Sequence, residues 1–100
     1  MLKLATVASA LAISAEADAA SISGIIQQGN QPVRNTPVIL ICGGTEAARA
    51  TTDGRGYYRL TASRTGGCSL RVGDASGQVI LYQDPTRDNF DTVGTRLIRR

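Results

Sequence analysis

The sequence predicts an all-β domain, an antiparallel sandwich of about seven short strands, and three observations carry that reading. From Ser21 onward apolar and polar residues alternate with a period of two, as half-buried strands do. Gly, Asn, Asp or Pro interrupts the alternation about every eight to twelve residues. The run Thr36 to Cys42 is apolar on both faces, which suits a strand in the middle of a packed sheet. No heptad, repeat, linker or low-complexity tract competes with these signals after residue 19.

Taken in order, Ser21 to Gln28 reads as a strand with Ile22 and Ile26 on one face, and Gly29-Asn30-Gln31-Pro32 as a turn. Thr36 to Cys42 follows, with Val38, Leu40 and Cys42 on one side and Ile39 and Ile41 on the other. Gly43-Gly44 reverses the chain. Thr45 to Thr52 is polar and Ala-rich and reads as an exposed edge strand, although Glu46-Ala47-Ala48-Arg49 is also a good helix former. Asp53-Gly54-Arg55-Gly56 reads as a tight hairpin turn leading to Tyr57–Ala62, with Tyr58 and Leu60 inward. Arg64-Thr65-Gly66-Gly67 turns into Cys68–Val72, and Gly73 to Gly77 turns into Gln78–Tyr82. A loop from Gln83 to Asp88 leads to one or two last strands marked by Phe90, Val93, Leu97 and Ile98.

The N-terminus has a different character. Met1-Leu2-Lys3, an apolar run from Leu4 to Ile13 and the small-x-small triplet Ala17-Asp18-Ala19 have the layout of a secretory signal peptide. The run is too short to span a bilayer, which takes about 20 apolar residues. The same residues also suit an Ala-rich helix or an N-terminal arm. The domain division expected is therefore a signal peptide over residues 1–19 and one domain over 20–100. Cleavage after Ala19 removes Lys3, Glu16 and Asp18 and leaves ten basic and six acidic residues, a net charge of +4. All ten basic residues are arginines. Without lysine the mature chain cannot form a Schiff base or a Lys–Asn crosslink. Without any histidine it lacks the commonest general base and the commonest metal ligand.

Cys42 and Cys68 are the only cysteines. An even count in a small exported domain points to a disulfide, because so small a core is marginal by itself. Two free buried thiols and metal ligation are the alternatives, the second falling short because two thiolates are not four ligands.

Several segments resemble the carboxypeptidase regulatory-like domain, a transthyretin-like sandwich. They are Gly24-Ile25-Ile26, Pro32-Val33, Thr36 to Leu40, the stretch Thr51-Thr52-Asp53-Gly54-Arg55-Gly56-Tyr57-Tyr58-Arg59-Leu60, and Gly67 to Val72. The resemblance implies a seven-stranded Greek-key sandwich that acts as a binding or scaffolding module. It specifies fold rather than chemistry. Transthyretin-like sandwiches also include a hydrolase of a purine-breakdown intermediate, whose site is similar to a His/Arg cluster with a C-terminal Tyr-Arg-Gly-Ser. This chain has no histidine and ends Leu97-Ile98-Arg99-Arg100.

Other chemistry finds no support. Ser21, Ser23, Ser63, Ser69 and Ser76 have no histidine or lysine to activate them. Asp84, Asp88 and Asp91 with Asn89 are the one acidic cluster; their spacing lacks a dense calcium-loop pattern and suits solvated acids pairing with Arg87. Asp53 reads as a turn residue. Catalytic, metal and cofactor sites are thus expected to be absent. The arginines are scattered singly except for Arg96, Arg99 and Arg100, which read as a solubilising tail or, alternatively, as a patch that steers the chain towards an anionic surface or acidic partner; nucleic acid is not expected of an exported chain. Tyr57, alternating outward from Tyr58, is the single candidate platform for stacking a sugar. The expectation is an exported, non-enzymatic module, periplasmic or secreted, that binds a protein, with self-association into a surface assembly as the alternative and carbohydrate third. Partner contact is expected at Glu46, Arg49, Tyr57, Arg96, Arg99 and Arg100.

Overall fold

A computed structural model describes residues 20–100, so the export signal expected over 1–19 lies outside the described residues. Period-two alternation becomes ten strands: β1 (Ala20–Gln28), β2 (Gln31–Pro32), β3 (Pro37–Cys42), β4 (Thr45–Thr51), β5 (Tyr57–Ala62), β6 (Gly66–Val72), β7 (Ala75–Leu81), β8 (Thr86–Arg87), β9 (Phe90–Val93) and β10 (Arg96–Arg99). They form one curled sheet in the order β2-β1-β9-β10-β7-β6-β3-β4, with β5 and β8 also on β1. The curl closes a single core between opposing faces. Ile22 and Ile26 of β1, Leu40 of β3, Leu70 of β6 and Phe90 of β9 are all essentially inaccessible within it.

The all-β expectation holds, but the strands are not all antiparallel. β8 and β9 pair with β1 in parallel, and β10 meets β7 in parallel at Arg96 and Ser76. The nine-residue β1 is long enough to serve two sets of neighbours. Its first half pairs with β5 and β8, its last residues with β2 and β9. Gly24 lies at this changeover, where a Cβ would collide with the Asp88 carbonyl.

Three turns differ from expectation. Gly29–Pro32 turns only at Gly29–Asn30, and Gln31–Pro32 returns to pair with β1. Gly66 and Gly67 are not a turn but the start of β6, opposite Leu81 and Ile80. Gly77 is likewise inside β7, where the Leu97 side chain packs directly over its Cα.

The stretch around Asp53 is no hairpin either. β4 pairs with β3 and β5 with β1, so Asp53–Gly56 is a corner between strands that do not pair with each other. Asp53 Oδ1 accepts the amides of Arg55 (2.8 Å) and Tyr57 (3.0 Å). Gly56 supplies the left-handed residue (φ 80°), packed so closely on the Ile26 carbonyl that no side chain fits. The carboxylate therefore shapes a corner where the Asp-Gly signal alone suggested a tight reversal.

Candidate functional site

β4 ends the sheet, and among the described residues no strand pairs with its outer edge. Its alternation is broken by a bulge: Leu40 faces Ala48 but Ile41 faces Glu46, which leaves Ala47 extra. The bulge turns Ala47, Ala48 and Ala50 onto the core. It also puts Glu46 and Arg49 on the same outward face, although residues three apart in a regular strand face opposite ways. They form a two-bonded ion pair, with Arg49 Nη2 donating to Glu46 Oε1 at 2.8 Å and Nε to Oε2 at 3.1 Å. Arg49's hydrogen bonds hold the Glu46 carboxyl below its ordinary value, and Glu46 pushes the guanidinium up in turn. The sequence carried the two residues but not their pairing. The adjacent Ala47-Ala48, out of step with the alternation, is the signal that locates the bulge.

Tyr57 points outward from β5, 38% exposed, as alternation predicts. No hydrogen bond or ion pair among the described residues joins it to the Glu46–Arg49 pair. Thr52, buried among the described residues, pins the corner by accepting the Thr36 amide at 3.0 Å.

The three C-terminal arginines do not act as one cluster. Arg99 turns back onto the body: it bonds Asp88 (3.2 Å), donates to the Gln78 carbonyl (3.3 Å) and lies over the Phe90 ring at 5.5 Å. Arg100 donates to Gln27 Oε1, and its amide bonds the Asn89 carbonyl. Arg96 is exposed and lies across from Val93. The acidic loop is equally committed. Asn89 Oδ1 accepts the Ile25 amide (2.9 Å) and Asp91 Oδ1 the Gly29 amide (3.1 Å), so these oxygens fasten β1 to the chain beside it. Among the described residues no three acids or cysteines gather as a metal site.

Cys42 and Cys68 are bonded on the inner face. They extend the β3–β6 register by one pair beyond Ile41 and Ser69, and their 4.4 Å Cα separation is that of a narrow, non-hydrogen-bonded pair.

Shallow depressions lie on the surface of the described residues. One, about 240 Å³, lies at the end of the fold among Gln28, Val33, Val72, Asp74 and Thr92. Another, about 210 Å³, lies among Ile80, Tyr82, Thr86, Asp88 and Arg99. Both fall below the roughly 300–1,000 Å³ of small-molecule sites. Ile80 (52%) and Tyr82 (57%) are exposed; Ile80 points outward by alternation between buried Val79 and Leu81, and Gly67, opposite it, has no side chain to cover it. No helix among the described residues is long and apolar enough to cross a membrane.

No family model and no curated protein matches the chain. Solved structures do. A DUF3823 family protein from Parabacteroides merdae is similar with TM-score 0.61 at 14% identity, over 77% of this chain and 47% of its own. The minor pilin of Streptococcus agalactiae gives TM-score 0.60 at 12% identity, over 81% of this chain and 45% of its own. A candidate carbohydrate-binding protein from Bacteroides uniformis gives 0.56 at 15% identity, over 73% and 40%. The chain spans less than half the length of each. At these identities the likeness is one of fold alone, and it is consistent with a β-sandwich-like, all-β domain.

Proposed function

We propose that the chain is an exported, non-enzymatic β-sandwich module of the periplasm or cell surface that works by binding a protein through its sheet edge. The observation that carries this is the outer edge of β4, open among the described residues. A disulfide within the core fits an oxidising compartment. The signal peptide over 1–19 and the kinship with carboxypeptidase regulatory-like domains belong to this reading. Intact mass of the protein from its native envelope tests export: loss of residues 1–19 is expected, and retention of Met1 overturns it.

The contact is tested by affinity capture from that envelope fraction, comparing the parent with Arg49→Pro. The Arg49 amide faces away from β3, so the proline leaves the β3–β4 ladder intact and blocks the edge, and Arg49→Ala controls for the ion pair that it also removes. Loss of the captured partner with unchanged circular dichroism is expected. Equal recovery by a folded variant sinks the edge reading. A structural-subunit role is the second reading, favoured by the pilin's shared fold together with the same open edge. Sedimentation separates the two, because a subunit polymerises and an accessory module does not.

A further inference from the structure

The β4 edge has a register of its own. Cys42 and Thr45 flank the two-residue loop Gly43-Gly44, so their amides and carbonyls face each other. One residue further, those of Glu46 face outward. Beyond the bulge Arg49 lies opposite Ile39, whose own backbone groups serve β6 instead, so Arg49 also presents its amide and carbonyl outward. The narrow Cys42–Cys68 pair fixes the same phase independently, since it places the non-hydrogen-bonded position of β3–β6 at Cys42. The edge thus offers backbone bonding groups at Glu46 and Arg49, each with a charged side chain on the outer face, about half exposed.

We infer that this edge recognises a second copy of the chain. Two β4 strands pair antiparallel about a two-fold axis between Ala47 and Ala48, so that Glu46 of each copy faces Arg49 of the other. The inference rests on the contact reading above and names the partner. Charge complementarity selects it: acid meets base twice, and the intrachain ion pair becomes part of a four-charge ring. The bulge, which ordinarily blunts an edge, does not oppose this pairing. It lies on the axis, so both strands step across the same Ala47-Ala48 interval and stay in phase. Those two side chains turn onto their own core and leave the axis clear. A seven-residue edge is short for a permanent interface, so the dimer is expected to be concentration-dependent.

Analytical ultracentrifugation of the oxidised protein over a range of concentrations tests it. The parent should pass from monomer to dimer. Glu46→Arg and Arg49→Glu, each alone, set like charges across the axis and should each weaken the dimer by about tenfold. An equimolar mixture of the two should recover it as a one-to-one heterodimer, because the two bases of one chain then face the two acids of the other. That recovery cannot come from the intrachain pair, which is like-charged in both variants. A parent that stays monomeric throughout, a dimer that neither substitution weakens, or a mixture no tighter than its components overturns the inference. If the parent is monomeric while Arg49→Pro still loses a captured envelope partner, only the self-recognition fails. If the dimer forms and nothing else is captured, the accessory-module reading fails instead.

Discussion

Asp53 is exposed, yet it organises the corner from β4 to β5 because two amides converge on one carboxylate oxygen. Those amides, Tyr57's first and Arg55's second, hold its carboxyl below the ordinary 3.8. A depressed folded value means that the ionised carboxylate's contribution is complete above the unfolded value and is lost as pH falls through the folded one. Stability should therefore decline below about pH 4 in the parent. Asp53→Asn keeps the acceptor and should lack this part of the acid dependence. Asp53→Ala should lower the melting temperature by more than the Asn variant at neutral pH. If Ala and Asn melt alike, the hydrogen bonds at this corner carry nothing. Gly24 acts through space rather than charge. A methyl there meets backbone, not a yielding side chain, so Gly24→Ala should cost about 3 kcal/mol or prevent folding. Urea unfolding measures this, and a parent-like midpoint refutes the close approach.

At the scale of elements, the β3–β6 ladder carries the disulfide. The crosslink closes a loop with a sequence separation of 26, which on the chain-entropy model stabilises the fold by about 3–4 kcal/mol. The double variant Cys42→Ser/Cys68→Ser should unfold at correspondingly lower urea, and alkylation of unreduced, denatured protein should label neither thiol. Labelling of both in protein from the oxidising compartment would remove the crosslink from the account. The same ladder shows what a sequence carries. Cys42 and Cys68 share faces with Leu40 and Leu70, and alternation alone is enough to point all four inward. Alternation says nothing of which strand lies beside which. β8 and β9 join β1 in parallel across more than sixty residues, and hairpin turn signals, being local, cannot encode such a pairing. The corner at Asp53 and the bulge at Ala47 escaped for a related reason. Both use ordinary turn and strand residues, and only the neighbouring strand reveals the irregularity. The arginines show the limit at the site: Arg96, Arg99 and Arg100 lie within five residues of sequence, but Asp88 and the Phe90 ring take Arg99 out of the group.

Across the whole molecule, the curled sheet is held closed around Asp88. Its amide bonds the Ser23 carbonyl of β1, and its own carbonyl accepts the Tyr58 hydroxyl from β5 at 2.8 Å. Its carboxylate pairs with Arg99 of β10, which reaches on to Gln78 of β7. One residue thus ties together strands from both halves of the fold. Burial pushes the Tyr58 phenol well above its ordinary value, so the hydroxyl stays a donor throughout the neutral range. Tyr58→Phe keeps the ring that fills the core and deletes only this bond, leaving a part-buried carbonyl with one partner fewer. It should cost about 1 kcal/mol, or about 4–8 °C in melting temperature for a domain of this size. Arg99→Gln should cost less, because its side chain is half exposed and solvent screens the ion pair. Since both substitutions act on Asp88, their effects should not add, and the double variant should depart from the sum by more than the error of urea unfolding. Additive losses would mean that Tyr58 and Arg99 stabilise the fold separately, and that Asp88 is a bystander between them.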